Sequence, residues 1–397
     1  MPEPDAIPAT GAAGATTPLT RRACVERVLR REAPPRFVYA PNYWQWFAHE
    51  LNHGLLPPEL AHCRTQLDLI RHLGLDVFSR NIYCEQQQTW FSGLAAEVCD
   101  GIEMREEIRL EGRDRVITRT YHTPHGPLSE RKRYVFAEST LVQEAFLLDS
   151  AAPDLDAFEA LVHARSWRFD RARFDHWQRA VGDDGLVNAG ELYSPLKLLH
   201  LAAGADNAVY LLEDHPERCR EMMARHEEAQ LDLVRQMLAA GVPAMISMDN
   251  LDAAFHPPRY IERCSASFYE RASRLCRDAG AVFFIHACGR QRAILPLIAS
   301  LGVDGLEGVA YPTFGDIELD EAMRLAGDRL IITGGISALE TERFKTRDEV
   351  RRYLEDLFRR LAPYRRRFML SASCNTSIGT PWPVIEWFRD AWREFGG

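Results

Sequence analysis

From Ala244 to the C-terminus the chain alternates short apolar runs with amphipathic stretches of helical period: AMISMDN, AVFFIHACG, DGLEGVA, LIITGGI and FMLSASC, each followed by a helix-like segment. Runs apolar on both faces must be covered on both faces, and strands that alternate with helices join in parallel through βαβ crossovers. The same alternation can be followed upstream. Counting RFVYAP, DVFSRN, LVNAG, AMISMD, VFFIHA, DGLEGV, LIITGG and FMLSAS gives eight strands, the number of a (β/α)8 TIM barrel. A barrel is favoured over an open doubly wound sheet because polar residues fall at every strand C-terminus instead of at one crevice: Asn42, Asn81, Glu191, Asp249, His286, Cys288, Glu307, Gly334-Gly335 and Cys374.

Two stretches interrupt the pattern. From about Ile102 to Ala137, period-2 alternation around turns at Gly112-Arg113 and Pro124 to Pro127 predicts a β-hairpin insertion after the second strand. Its charges read either as a solvated face or, at His122 and His125, as groups leaning over the barrel mouth. Residues 1–18, rich in Pro, Ala, Gly and Thr, read as a disordered tail without the apolar region of a signal peptide, which leaves residues 19–397 for the barrel. Thr20 is the expected N-cap of the first helix.

A net charge of −9 argues against nucleic acid and anionic membrane as partners. No run reaches the roughly 18 apolar residues of a membrane span. Nine cysteines without regular spacing fit free thiols in a reducing compartment, so a cytoplasmic protein is expected.

His286-Ala-Cys288 ends one apolar strand and Cys374 ends another. Imidazole and thiolate are borderline-soft donors suited to Zn²⁺, and at i, i+2 both face one side of an extended strand. The alternative is a buried structural cysteine beside a satisfied histidine. Tyr43, Trp44, Asn81, Tyr83 and Glu191 are candidates for a substrate pocket, although aromatic residues at such places also serve packing. Asp249 reads either as a supporting or substrate-binding carboxylate or as a strand cap. P-loop, G-x-G-x-x-G and G-x-S-x-G signatures are absent.

VFFIHACGRQRAILPLIASLGVDGLE, LIITGGISALE and SASCNTSIGTPW resemble the uroporphyrinogen decarboxylase superfamily. Within it they resemble the zinc-dependent methylcobamide:thiol methyltransferases, to which the C-terminal barrel of cobalamin-independent methionine synthase is similar. The likeness runs from about Arg21 to the C-terminus. It implies zinc bound by His286, Cys288 and Cys374, with Glu307 as a further ligand that a substrate thiol displaces. It also implies a methyl donor, a methyl-corrinoid carried by a partner protein, since this chain has no D-x-H-x-x-G corrinoid segment. The decarboxylase branch holds its substrate with an arginine-rich motif where this chain has YAPNYWQWF.

The expected activity is therefore zinc-dependent methyl transfer to or from a small-molecule thiol, with Glu307 and Asp249 assisting. The two competing expectations are a metal-free carboxy-lyase, for which Cys374 has no use, and a non-catalytic zinc-binding protein with a closed four-ligand site.

Overall fold

The computed structural model describes residues 19–82, 91–148 and 153–397. In chain order its strands are β1 (Val38–Tyr39), β2 (Val77–Ser79), β3 (Ala95–Cys99), β4 (Glu103–Glu111), β5 (Asp114–Thr123), β6 (Gly126–Val135), β7 (Thr140–Ala145) and β8 (Arg165–Phe169). There follow β9 (Gly185–Val187), β10 (Ala189–Leu192), β11 (Ala244–Leu251), β12 (Val282–Ala287), β13 (Gly305–Val309), β14 (Ile331–Ile336) and β15 (Phe368–Ala372). Seven of these form one sheet in the order β1-β15-β14-β13-β12-β11-β10, and every pairing in it is parallel. β2 pairs in parallel with β9, which runs through Asn188 into β10. Asp76 N donates to Tyr39 O at 3.0 Å, linking the approaches of β1 and β2.

Alternate residues of these strands fall into two separate apolar clusters, as a barrel requires. Val38, Phe78, Leu186, Ala244, Ile246, Val282, Phe284, Ile331 and Met369 share one cluster. Tyr39, Val77, Val187, Met245, Phe283, Ile285, Leu306, Ile332 and Leu370 pack in the other, with the helices. The helix Arg21–Leu29, capped by Thr20 as the sequence predicts, adds Cys24, Val25, Val28 and Leu29 to the first cluster. Arg31, just beyond it, reaches Asp304 ahead of β13 at 2.7 Å, so this helix closes the end opposite the strand C-termini.

The antiparallel region is larger than a hairpin. β4, β5, β6 and β7 form a four-stranded meander running to Ala145, with Ser139 turning the chain at φ 48° into the fourth strand. The mixed pattern of TLVQEA, only partly buried on either face, hides this strand from a period-2 reading. β3 and β8 pair antiparallel on either side of the meander. No helix among the described residues is long and apolar enough to cross a membrane.

Candidate metal centre

His286 continues the inward parity of Val282 and Phe284, so its ring leaves β12 at the mouth of the barrel, with Cys288 one step further on the same side. Cys374 arrives from the bend after β15. One donor atom from each of the three lies within 4.8 Å of the others, and Cys374 Sγ is 3.6 Å from His286 Nε2. Gly308 makes this convergence possible. At φ 98° it occupies a conformation few side chains adopt, and a Cβ there would press into the carbonyl oxygens of Ala287 and Ser373. Asn42 Nδ2 donates to Cys374 O at 2.7 Å and Cys288 N to Leu251 O at 3.0 Å, fixing both cysteine backbones.

The thiols are not equivalent. A hydrogen bond from Cys288, with help from His286, outweighs burial and holds Cys374 well below an ordinary thiol, while the same bond and burial push Cys288 up. Burial opposes a charge on His286, but its hydrogen bonds to Cys374 and Glu307 outweigh it and raise its pKa. Such a nitrogen and two sulfurs are a donor set for a borderline-soft ion, and they fit zinc as the three protein ligands that meet among the described residues.

Glu307 departs from the expected ligand role. It is paired with His286 across β12 and β13, and its Oε2 lies 2.8 Å from His286 Nδ1. The two ring nitrogens point apart, so a carboxylate engaged at Nδ1 stands behind the ring and outside the His–Cys–Cys group. Its other neighbour is Arg80, with Nη1 3.7 Å away and buried. Burial alone would raise the Glu307 pKa, yet Arg80 and His286 together hold it at about 2. A carboxylate that accepts a hydrogen bond from Nδ1–H fixes the tautomer and turns the Nε2 lone pair toward an ion. In the sequence Arg80 has one signal, a charge beside Asn81 near the end of DVFSRN.

The remaining candidates stand elsewhere. Asp249 is fully buried, accepting from Ser194 N (2.8 Å), Ser247 Oγ (2.7 Å) and Tyr269 OH (2.9 Å), so it ties β11 to the segments bearing Ser194 and Tyr269, and it lines neither cavity described below. Glu191 accepts from Leu94 N at 2.6 Å, and burial pushes its carboxyl to about 8 despite that bond. It faces a separate cavity of about 400 Å³ beside the inserted sheet, with Arg165, Trp167 and Tyr193. Tyr43 is buried, its hydroxyl 3.0 Å from that of Tyr39. Trp44 begins the helix Trp44–His53. Asn81 is buried against Ser79 and Gln66. Neither Tyr43, Trp44 nor Asn81 lines the cavity next to Cys288. Tyr83 lies outside the described residues. That cavity, of about 390 Å³, is walled by residues absent from the sequence reading, among them Lys197, His200 and His256.

Residues 180–395 match the family model described as uroporphyrinogen decarboxylase (URO-D). Among solved structures, a methyltransferase from Methanosarcina mazei superposes with a TM-score of 0.58 at 14% identity, covering 96% of this chain and 100% of its own. At that identity the likeness speaks to the fold. A thiamine phosphate pyrophosphorylase from Pyrococcus furiosus aligns over 44% of this chain and 94% of its own at 18% identity, with a TM-score of 0.20 that carries no argument. No curated protein matches.

Proposed function

The chain belongs to the uroporphyrinogen decarboxylase family, and from that premise we propose that it is a zinc-dependent methyltransferase acting between a small-molecule thiol and a methyl donor, a methyl-corrinoid on a partner protein. The observation that carries this reading is the meeting of His286, Cys288 and Cys374 at the barrel mouth. A metal-free lyase has no use for two cysteines aimed at one histidine. A purely structural zinc site would be closed by a fourth protein ligand, whereas among the described residues none joins these three and Glu307 is turned away to Nδ1.

Zn²⁺ held by these three residues would supply Lewis acidity that lowers the pKa of a thiol and keeps it a nucleophile at neutral pH. The chain's own residues prepare that chemistry. Glu307 accepts a hydrogen bond from His286 Nδ1–H and thereby presents Nε2; Arg80 keeps Glu307 ionised; Gly308 lets the segments bearing His286 and Cys374 approach. In the transfer, the thiolate sulfur provides the electron pair of the new S–C bond. The donor keeps the pair of the bond that breaks, and the thiol proton leaves to solvent. Cys288 and Cys374, which would hold the ion, are not consumed.

The test is metal analysis of the purified protein together with methyl transfer from methylcobalamin to thiols. About one equivalent of zinc is expected, with loss of metal and activity in His286→Ala and Cys374→Ala. Full activity in metal-free protein would overturn the proposal.

A further inference from the structure

The cavity beside Cys288 opens between the helix Pro195–Ala203, the loop after β11 and the end of the inserted sheet. Its wall is chemically divided. Phe146, Leu201 and Phe255 form apolar faces; Lys197, His200, Asn250 and His256 supply polar ones. Building on the methyltransferase reading, we propose that this cavity is the acceptor site, and that it takes an organic thiol with an apolar body whose far end is a carboxylate-type anion held by Lys197, His200 and His256.

Four observations bear on the guest, and the first two point to an anion. Lys197 and His200, three apart on one helix, present their side chains on a shared face, and Lys197 makes no ion pair among the described residues. Asp249, the carboxylate nearest in effect to Lys197, has both oxygens occupied by Ser194, Ser247 and Tyr269. Asp252, which also lines the cavity, has its Oδ1 engaged by Arg290 at 3.1 Å and by Ala254 N at 2.8 Å. Burial lowers the Lys197 pKa, opposed by Asp249 and Cys288, and an ammonium so placed in a sheltered cavity gains from an anionic guest.

His256 supplies the second signal. It is 3% exposed, its ring centroid lies 4.8 Å from that of His200, and Nδ1 accepts from Asp252 N at 3.4 Å. Nδ1 being an acceptor, Nε2 bears the proton, and this buried donor has no partner among the described residues. Burial, reinforced by neighbouring positive charge from Lys197, lowers both imidazoles, His200 to about 3, so both remain neutral. An unanswered N–H in a cavity wall marks where an acceptor atom belongs.

The third signal is backbone. The pairing of β11 with β12 shifts register between Ser247 and Leu251, and within that irregularity Asn250 adopts φ 53°. A left-handed non-glycine residue at a bulged strand end re-aims a side chain, here into the cavity wall. The fourth is size. About 390 Å³ lies within the range of pockets for mid-sized organic ligands and far exceeds the need of a two-carbon thiol. Gln143 and Phe146, from and just beyond β7, give the inserted sheet a part in choosing the substrate.

The probe is 4-methylbenzoate, which carries the body and the anion but no thiol, titrated calorimetrically into the purified protein beside uncharged 4-methylbenzamide. Wild-type protein should bind the carboxylate and prefer it to the amide. Lys197→Met, which keeps the aliphatic stem, should weaken the carboxylate roughly thirtyfold or more and leave the amide unchanged, with Lys197→Arg recovering much of the loss. In turnover, 4-(mercaptomethyl)benzoate should exceed phenylmethanethiol in kcat/KM through a lower KM, and Lys197→Met should erase that difference. Carboxylate binding in a protein that methylates no thiol would keep this anion site and sink the methyltransferase reading. Thiol methylation indifferent to the carboxylate and to Lys197 would do the reverse.

Discussion

Glu307 Oε2 lies 2.8 Å from His286 Nδ1, across paired positions of β12 and β13, so the acid and the imidazole are joined through the sheet before any ion is considered. The register makes Glu307 an orienting group. Replacing it with Gln keeps an acceptor for the Nδ1 proton but removes the charge that sharpens Nε2 as a donor. Glu307→Gln should therefore still bind zinc, about ten- to a hundredfold more weakly in chelator competition. Unchanged affinity would show that the pair has no bearing on the metal.

Gly308→Ala should cost more than an ordinary surface change, because the new Cβ would collide with the carbonyls of Ala287 and Ser373 while the backbone stays at φ 98°. Relief requires the two strands to move apart, which separates His286 from Cys374. We expect loss of zinc together with about 2 kcal/mol of stability or more, followed by metal analysis and urea unfolding. Wild-type zinc content in this variant would contradict the role given to Gly308.

Asp249→Ala removes the acceptor of three hydrogen bonds inside the barrel wall. The orphaned Ser194, Ser247 and Tyr269 donors should cost about 3 kcal/mol or more. Denaturant midpoints measure this. A variant of normal stability with impaired turnover would return Asp249 to substrate binding.

Glu191 gives a pH dependence of definite sign. Its ordinary carboxyl value is 4.5 and its folded value is about 8, so the folded chain keeps a proton that the unfolded chain has already released. Its contribution is complete below the unfolded pKa and declines as pH rises through about 8. Glu191→Gln imitates the protonated acid at every pH. Between pH 5 and 9 the variant should lose less stability than wild type, by on the order of a few kcal/mol in thermal or urea unfolding. Parallel stability curves would refute a raised carboxyl.

What could be read in the linear chain was what strand periodicity controls. The parity that puts Phe284 in the inner cluster also puts His286 and Cys288 at the mouth, and a cysteine at the tip of FMLSAS had one end of the barrel to occupy. Side-chain pairing across the fold was hidden. Glu307 is at the strand end its position implied, yet which imidazole nitrogen it meets depends on the register of β12 against β13. Asp249 gains its partners from Ser194 and Tyr269, 55 and 20 residues away, so nothing local distinguished an anchor from a binding group. Lys197 and His200 sit on a helix whose polar residues look solvent-directed until the inserted sheet is laid beside it.

The last strand has a further consequence. β15 pairs with β1 as well as β14, so the stretch that delivers Cys374 is also the stave that completes the ring, and its partner His286 is 88 residues earlier in the chain. A nascent or C-terminally opened chain can hold His286-x-Cys288 but lacks the third donor. On the proposed reading, an ion held by all three residues would tie the last strand to β12, and detachment of the C-terminal segment would remove one of its three donors.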